Sequence, residues 1–212
     1  MGSITTEGVI LKRKNFGEAD RVVTIITKQY GKISVVAKGV RRITSRRAGN
    51  IEVLNRVKLH LFKAKSFNLQ EAEAIQVYPQ IKENLTLATT AFHVLELVDR
   101  MVAEDQFNPL VYSLVVAILE LLEKNPRQIF LRAFEVKLLS VSGFWSINAL
   151  PHLPKEMIKL LEQLEHLSWN QINEISLSEE EALFLENILR QYIERVLEAN
   201  LKSIQVMRQL RK

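Results

Sequence analysis

The segment DRVVTIITKQYGKISVVAKGV, residues 20–40, holds two runs rich in β-branched residues with Gly31 between them. Val, Ile and Thr favour the pleated, half-buried surface of a strand. Glycine supplies the positive φ that a tight hairpin turn requires. The segment therefore predicts two antiparallel strands. Upstream, EGVILKRK (7–14) is a short apolar run that gives way to charge. Downstream, IEVLNRVKLHLF (51–62) alternates over Val57, Leu59 and Leu61 with Lys58 and His60 between them, the period of a half-buried strand. FNLQEAEAIQVY (67–78) alternates more weakly. Five strands with no helical pattern between them predict a small barrel of the oligonucleotide-binding type.

After Tyr78 the pattern changes to helical. In residues 81–105, Leu85, Ala88, Phe92, Leu95, Val98 and Met101 recur at helical spacing. NPLVYSLVVAILELLEKN (108–125) offers Asn108 as N-cap and Pro109 at the first helical position. Its interior is apolar almost all round, which predicts the central helix of a bundle. A third helix runs from Pro126 to a stop at Gly143, and a shorter amphipathic one covers 154–167. Ser178 with Glu181 forms a capping box that opens a long final helix to about residue 210. The fold class is α+β in two domains: an OB-type barrel over 1–80 and an all-α domain of roughly five helices over 81–212.

Charge divides the same way. Residues 1–80 carry 15 Lys and Arg against six acids, a balance of +9, while residues 81–212 balance at −4. A basic barrel on a mildly acidic partner points to a polyanion. The densest part is AKGVRRITSRRAGN (37–50), with Lys38, Arg41, Arg42, Arg46 and Arg47 and no acid. It joins the third and fourth strands. The loops expected to flank the binding face are KNFGEAD, with Lys14 and Phe16, and KAKSFN, with Lys63, Lys65 and Phe67. Cations neutralise phosphates and release counterions, and aromatic faces stack unpaired bases. Phe16 and Phe67 also read as core residues at strand ends. Arg41 and Arg42 end a strand and should be held firmly. Arg46 and Arg47 should order only on a phosphate.

No catalytic constellation emerges. His60, His93, His152 and His166 are scattered, no glycine-rich nucleotide loop is present, and Glu18 with Asp20 reads as a turn pair. The absence of cysteine excludes thiolate zinc sites and disulfides, and fits a cytosolic protein. No secretory leader and no apolar run long enough to span a bilayer is evident.

These residues resemble a family. Gly17-Glu18-Ala19-Asp20, Thr27 through Gly31-Lys32, and Lys38-Gly39-Val40-Arg41-Arg42 are similar to the N-terminal signature of RecO, a bacterial recombination mediator. The likeness continues through residues 45–62 and 71–75, and more loosely through LRAFEVKLLSVSGF (131–144) and LEANLKSIQVMRQL (197–210). The resemblance implies a non-enzymatic, cytoplasmic, nucleoid-associated DNA repair protein that needs no cofactor. It implies binding to single- and double-stranded DNA and annealing of complementary strands. Implied partners are RecR, the acidic C-terminal tail of single-strand-binding protein and, indirectly, RecA. It adds Lys32 to the DNA-binding candidates and places the tail contact at Arg132. Many members carry a four-cysteine zinc module after the Gly-Phe exit. Here residues 143–157 run straight into the next helix, so no structural zinc is expected. The reading from charge alone keeps an alternative: an OB module that binds RNA or an acidic protein.

Overall fold

A computed structural model describes residues 2–43, 45, 47–104, 106–150 and 152–197. Arg46 and the tail from residue 198 onward, with Arg208, Arg211 and Lys212, lie outside the described residues. Five strands come first: β1 (Gly2–Phe16), β2 (Asp20–Thr27), β3 (Gly31–Ala37), β4 (Arg56–Lys63) and β5 (Phe67–Gln76). They close into a barrel in the order β1-β2-β3-β5-β4. Closure depends on the length of β1. Its first half pairs with β4, Gly2 opposite Lys63, and its second half pairs with β2, Phe16 opposite Asp20. The seam is a short parallel contact, Val35 opposite Phe67 and Val36 opposite Asn68. This is the oligonucleotide-binding topology.

The apolar run in β1 is continuous because both of its faces are covered. Ile10 points into the barrel with Val23, Ile25, Val35, Leu59 and Leu61. Val9 and Leu11 point outward and share a second core with Ile26, Leu54 and the helices. Gly31, at φ 66°, makes the β2–β3 hairpin turn. A Cβ there would lie 2.2 Å from the carbonyl oxygen of Gln106, so the turn also needs glycine for close approach.

Helices begin at Pro79. They are α1 (Pro79–Glu83), α2 (Leu85–Met101), α3 (Pro109–Lys124), α4 (Gln128–Val141), α5 (Lys155–His166), α6 (Trp169–Asn173) and α7 (Glu179–Leu197). The expected first helix is two. Asn84 adopts an extended backbone and its side chain accepts from the amides of Thr86 and Leu87, capping α2. Asn108 caps α3 and Ser178 with Glu181 makes the capping box of α7, as the sequence predicts.

Two packing expectations change. The buried face of α2 is Ala91, Val94, Leu95, Leu97, Val98 and Met101, while Leu85 and Phe92 are exposed. The central helix is α4 rather than α3. Residues 129–136 of α4 are buried without interruption, because α2, α3, α5, α6 and α7 all pack on it. That wrapping encloses charge. His93 of α2 meets Glu135 at 2.8 Å, Arg132 meets the same carboxylate at 2.7 Å, and Glu186 of α7 lies 4.0 Å from Arg132.

Candidate nucleic-acid interface

Strand register brings the three predicted basic segments to one end of the barrel. The β1–β2 turn (17–19) lies beside the end of β3, because Arg21 pairs with Ala37. The β4–β5 turn (64–66) lies beside the same end, because Val35 pairs with Phe67 and Phe67 with Lys63. The arginine-rich segment leaves from between them.

This segment is fastened, not loose. The Gly39 amide donates to Asp20 Oδ1 at 2.7 Å, and Gly39 itself sits at φ 66°. The Arg41 amide donates to the Ala19 carbonyl at 2.9 Å. Arg41 Nη1 donates to the carbonyls of Gly17 and Glu18, at 3.1 and 3.0 Å. The Asp20 carboxylate is not confined to bonds within its own turn; it reaches across to another loop. The two signatures of the sequence, Gly-Glu-Ala-Asp and Lys-Gly-Val-Arg-Arg, are thus two halves of one clamp. Below it, Val40, Ile51 and Leu54 are buried and pin the connection to the barrel.

The predicted site residues separate into three groups. Lys14, Lys38, Arg41, Arg42, Lys63 and Lys65 are exposed around this rim, and none makes an ion pair among the described residues. Phe16 is 59% exposed at the same rim. Arg47 is different: its guanidinium donates to the carbonyls of Leu69 and Gln70, both at 3.1 Å, and of Lys38 at 2.8 Å. The expectation that it orders only on a phosphate is corrected. Its planar fork bridges the β3 exit to β5 where few strand bonds close the seam.

Three candidates leave the set. Lys32 is buried at the opposite end of β3, where its ammonium donates to the Asp99 carbonyl at 2.6 Å and sits 3.6 Å from that carboxylate. It fastens the barrel to α2. Phe67 is 7% exposed, lies in the barrel core and packs against Tyr30 at a ring separation of 6.1 Å. Its core reading holds, and Lys63 lies over its ring at 5.0 Å. Arg132 is buried with Glu135, so its charge is spent inside the bundle. Burial alone would raise the Glu135 carboxyl, but the charge of Arg132 and the His93 hydrogen bond hold it below the ordinary carboxylate range.

The sequence reading missed the groove on the other side of α4. Leu110, Leu114, Ala117, Val141 and Trp169 line a cavity of about 410 Å³ with Lys137 in its wall. The Lys137 ammonium donates to the carbonyls of Glu165 and Leu167, each at 2.8 Å. Burial pushes its pKa down. Its signal was the apolar surplus of α3, which was assigned to a core instead. Among the described residues no cluster of three His, Asp or Glu is placed to hold a metal, and no helix is long and apolar enough to cross a membrane.

Comparison with known proteins places this architecture. Residues 1–78 match the family described as Recombination protein O N terminal. Residues 82–145 and 148–205 match Recombination protein O C terminal. The chain is 33% identical over 148 residues to DNA repair protein RecO of Symbiobacterium thermophilum, covering 68% of this chain and 58% of that protein. It is 34% identical over 148 residues to the RecO of Acetivibrio thermocellus, covering 68% and 59%. Its match to the RecO of Listeria monocytogenes is 25% identical over 240 aligned residues, covering 97% and 94%. The first two alignments thus span less than two thirds of those relatives. With both halves matched and the clamp built from the N-terminal signature, the chain belongs to the RecO family of DNA repair and recombination proteins.

Proposed function

We propose that this chain is a DNA-binding recombination mediator, with residues 1–80 as the DNA-binding domain and 81–212 as the partner-binding domain. The observation that supports it most is the clamp. It holds Lys38, Arg41 and Arg42 on a firm base beside Lys14, Lys63 and Lys65, and among the described residues no acid pairs with any of them. Fixed cations at that spacing neutralise a phosphate backbone without regard to sequence. The proposed activity is binding of single and double strands and annealing of complementary strands without a nucleotide. With RecR it would help load RecA on strands coated by single-strand-binding protein. The proposed role is carried by binding.

The acidic tail of single-strand-binding protein needs an apolar seat and a cation. Arg132 is buried against Glu135, so the groove along α3 and α4 is the better seat, with Lys137 as its cation.

Annealing of complementary oligonucleotides by the intact protein, followed with and without ATP, tests the activity. A competition among DNA, RNA and an acidic tail peptide tests the partner. Acceleration without ATP and preference for DNA are expected. Tight RNA binding with negligible DNA affinity would overturn the reading.

A further inference from the structure

Ile43 is fully exposed, at 105% relative accessibility, the largest value among the exposed apolar residues described. A lone apolar side chain on a surface is ordinary. Its setting is not. It occupies the second position of a turn closed by the Ser45 amide donating to the Arg42 carbonyl at 2.9 Å. Such turns favour Gly, Pro, Asn, Asp and Ser. Here the tip is a β-branched residue, stiff at χ1. The two residues before it are Arg41 and Arg42, and Val40 below them is buried in the barrel core.

The base of this turn is rigid by the bonds already described, Gly39 to Asp20 and Arg41 to residues 17–19. Arg41 uses only Nη1 in them, which leaves Nε and Nη2 for a phosphate. A stiff aliphatic tip, carried on a fixed base and preceded by two guanidinium groups, has the parts of a side chain that enters between stacked base pairs. Phe16 at the same rim is a flat face, suited to the splayed bases of a single strand. Ile43 presents no flat face and suits a step held open in a duplex.

We propose that Ile43 is an apolar wedge that inserts between adjacent base pairs of duplex DNA while Arg41 and Arg42 hold the neighbouring phosphates. The inference rests on the DNA-binding reading and adds to it how a duplex is engaged. Insertion unstacks one step, which lowers the barrier to exchanging one paired strand for another.

The test uses the full chain with a duplex carrying 2-aminopurine, whose fluorescence rises on unstacking, and the matching single strand. Binding is read by anisotropy on the same samples, at saturating protein. The parent should raise duplex fluorescence several-fold. Ile43→Ser should lose most of that rise while still saturating the duplex, and Ile43→Leu should keep it. Phe16→Ala should weaken single-strand binding and keep the duplex signal. An undiminished rise with Ile43→Ser overturns the wedge, as does a parent that binds duplex without unstacking it. A parent that binds neither strand form by anisotropy overturns the DNA reading itself.

Discussion

The amide of Gly39 and the carboxylate of Asp20 meet at 2.7 Å, joining the exit of β3 to the turn between β1 and β2. A hydrogen bond to a charged acceptor contributes about 1.5–3 kcal/mol. Asp20→Ala should lower the unfolding free energy by about that amount. It should also weaken DNA binding, although Asp20 is itself an anion, because the arginines lose their footing. Urea denaturation and anisotropy on the same variant check both effects. A gain in DNA affinity would show that charge outweighs placement at this rim.

Arg42 and Arg47 should part company. Arg47 satisfies three backbone carbonyls, so Arg47→Ala should cost about 1–3 kcal/mol of stability through orphaned acceptors. Arg47→Lys should not restore it, since one ammonium cannot reproduce the fork. Arg42 is exposed with no side-chain bond to lose among the described residues, so Arg42→Ala should leave stability within about 0.5 kcal/mol and weaken DNA binding.

Salt dependence reads the rim one residue at a time. Each phosphate neutralised on a single strand contributes about −0.7 to the slope of log K against log salt. Alanine at Lys38, Arg42, Lys63 or Lys65 should flatten that slope by about one contact each. Alanine at Lys32 should leave the slope unchanged and lower stability, because its ammonium serves Asp99. Titrations at several salt concentrations separate the two.

Acid should loosen the fold through two carboxyls. The hydrogen bond from Arg56 holds Glu7 below its ordinary value against the opposing effect of burial. In Glu135 burial works upward and is overcome by Arg132 and His93. Both groups therefore bind protons less readily folded than unfolded. Their stabilisation is complete above the unfolded carboxylate pKa of about 4.3 and is lost as pH falls through the lower folded values. Urea midpoints from neutral pH down to about 3 should fall steeply below that point. Glu135→Gln should be less stable at neutral pH and show a shallower acid limb.

The barrel was legible because alternation survives in single strands: Val57, Leu59 and Leu61 are all buried as their spacing says. The Asn108 cap and the Ser178–Glu181 box were legible because they are local, whereas the Asn84 cap inside the first helical pattern was not read. Phase within α2 was not. Leu85 and Phe92 stand exposed while Ala91 and Val94 carry the contact, because the side on which α4 and the barrel pack is set in three dimensions. Lys32 and Arg132 were indistinguishable from surface cations, since their partners Asp99 and Glu135 declare themselves only in three dimensions. The rim itself was visible as charge. Which of its arginines faces solvent depended on carbonyls left by the short β3–β5 seam, a feature with no one-dimensional trace.

The two faces of β1 have a consequence for how the protein can be divided. Ile10 belongs to the inside of the barrel, while Val9 and Leu11 belong to a core otherwise made mostly of helix. A fragment cut after Tyr78 would carry away one wall of the helical core and bare Val9, Leu11, Ile26 and Leu54 to water. The barrel and the helices therefore share one continuous apolar wall, drawn mostly from β1 with Ile26 and Leu54 beside it, and they should melt as one body.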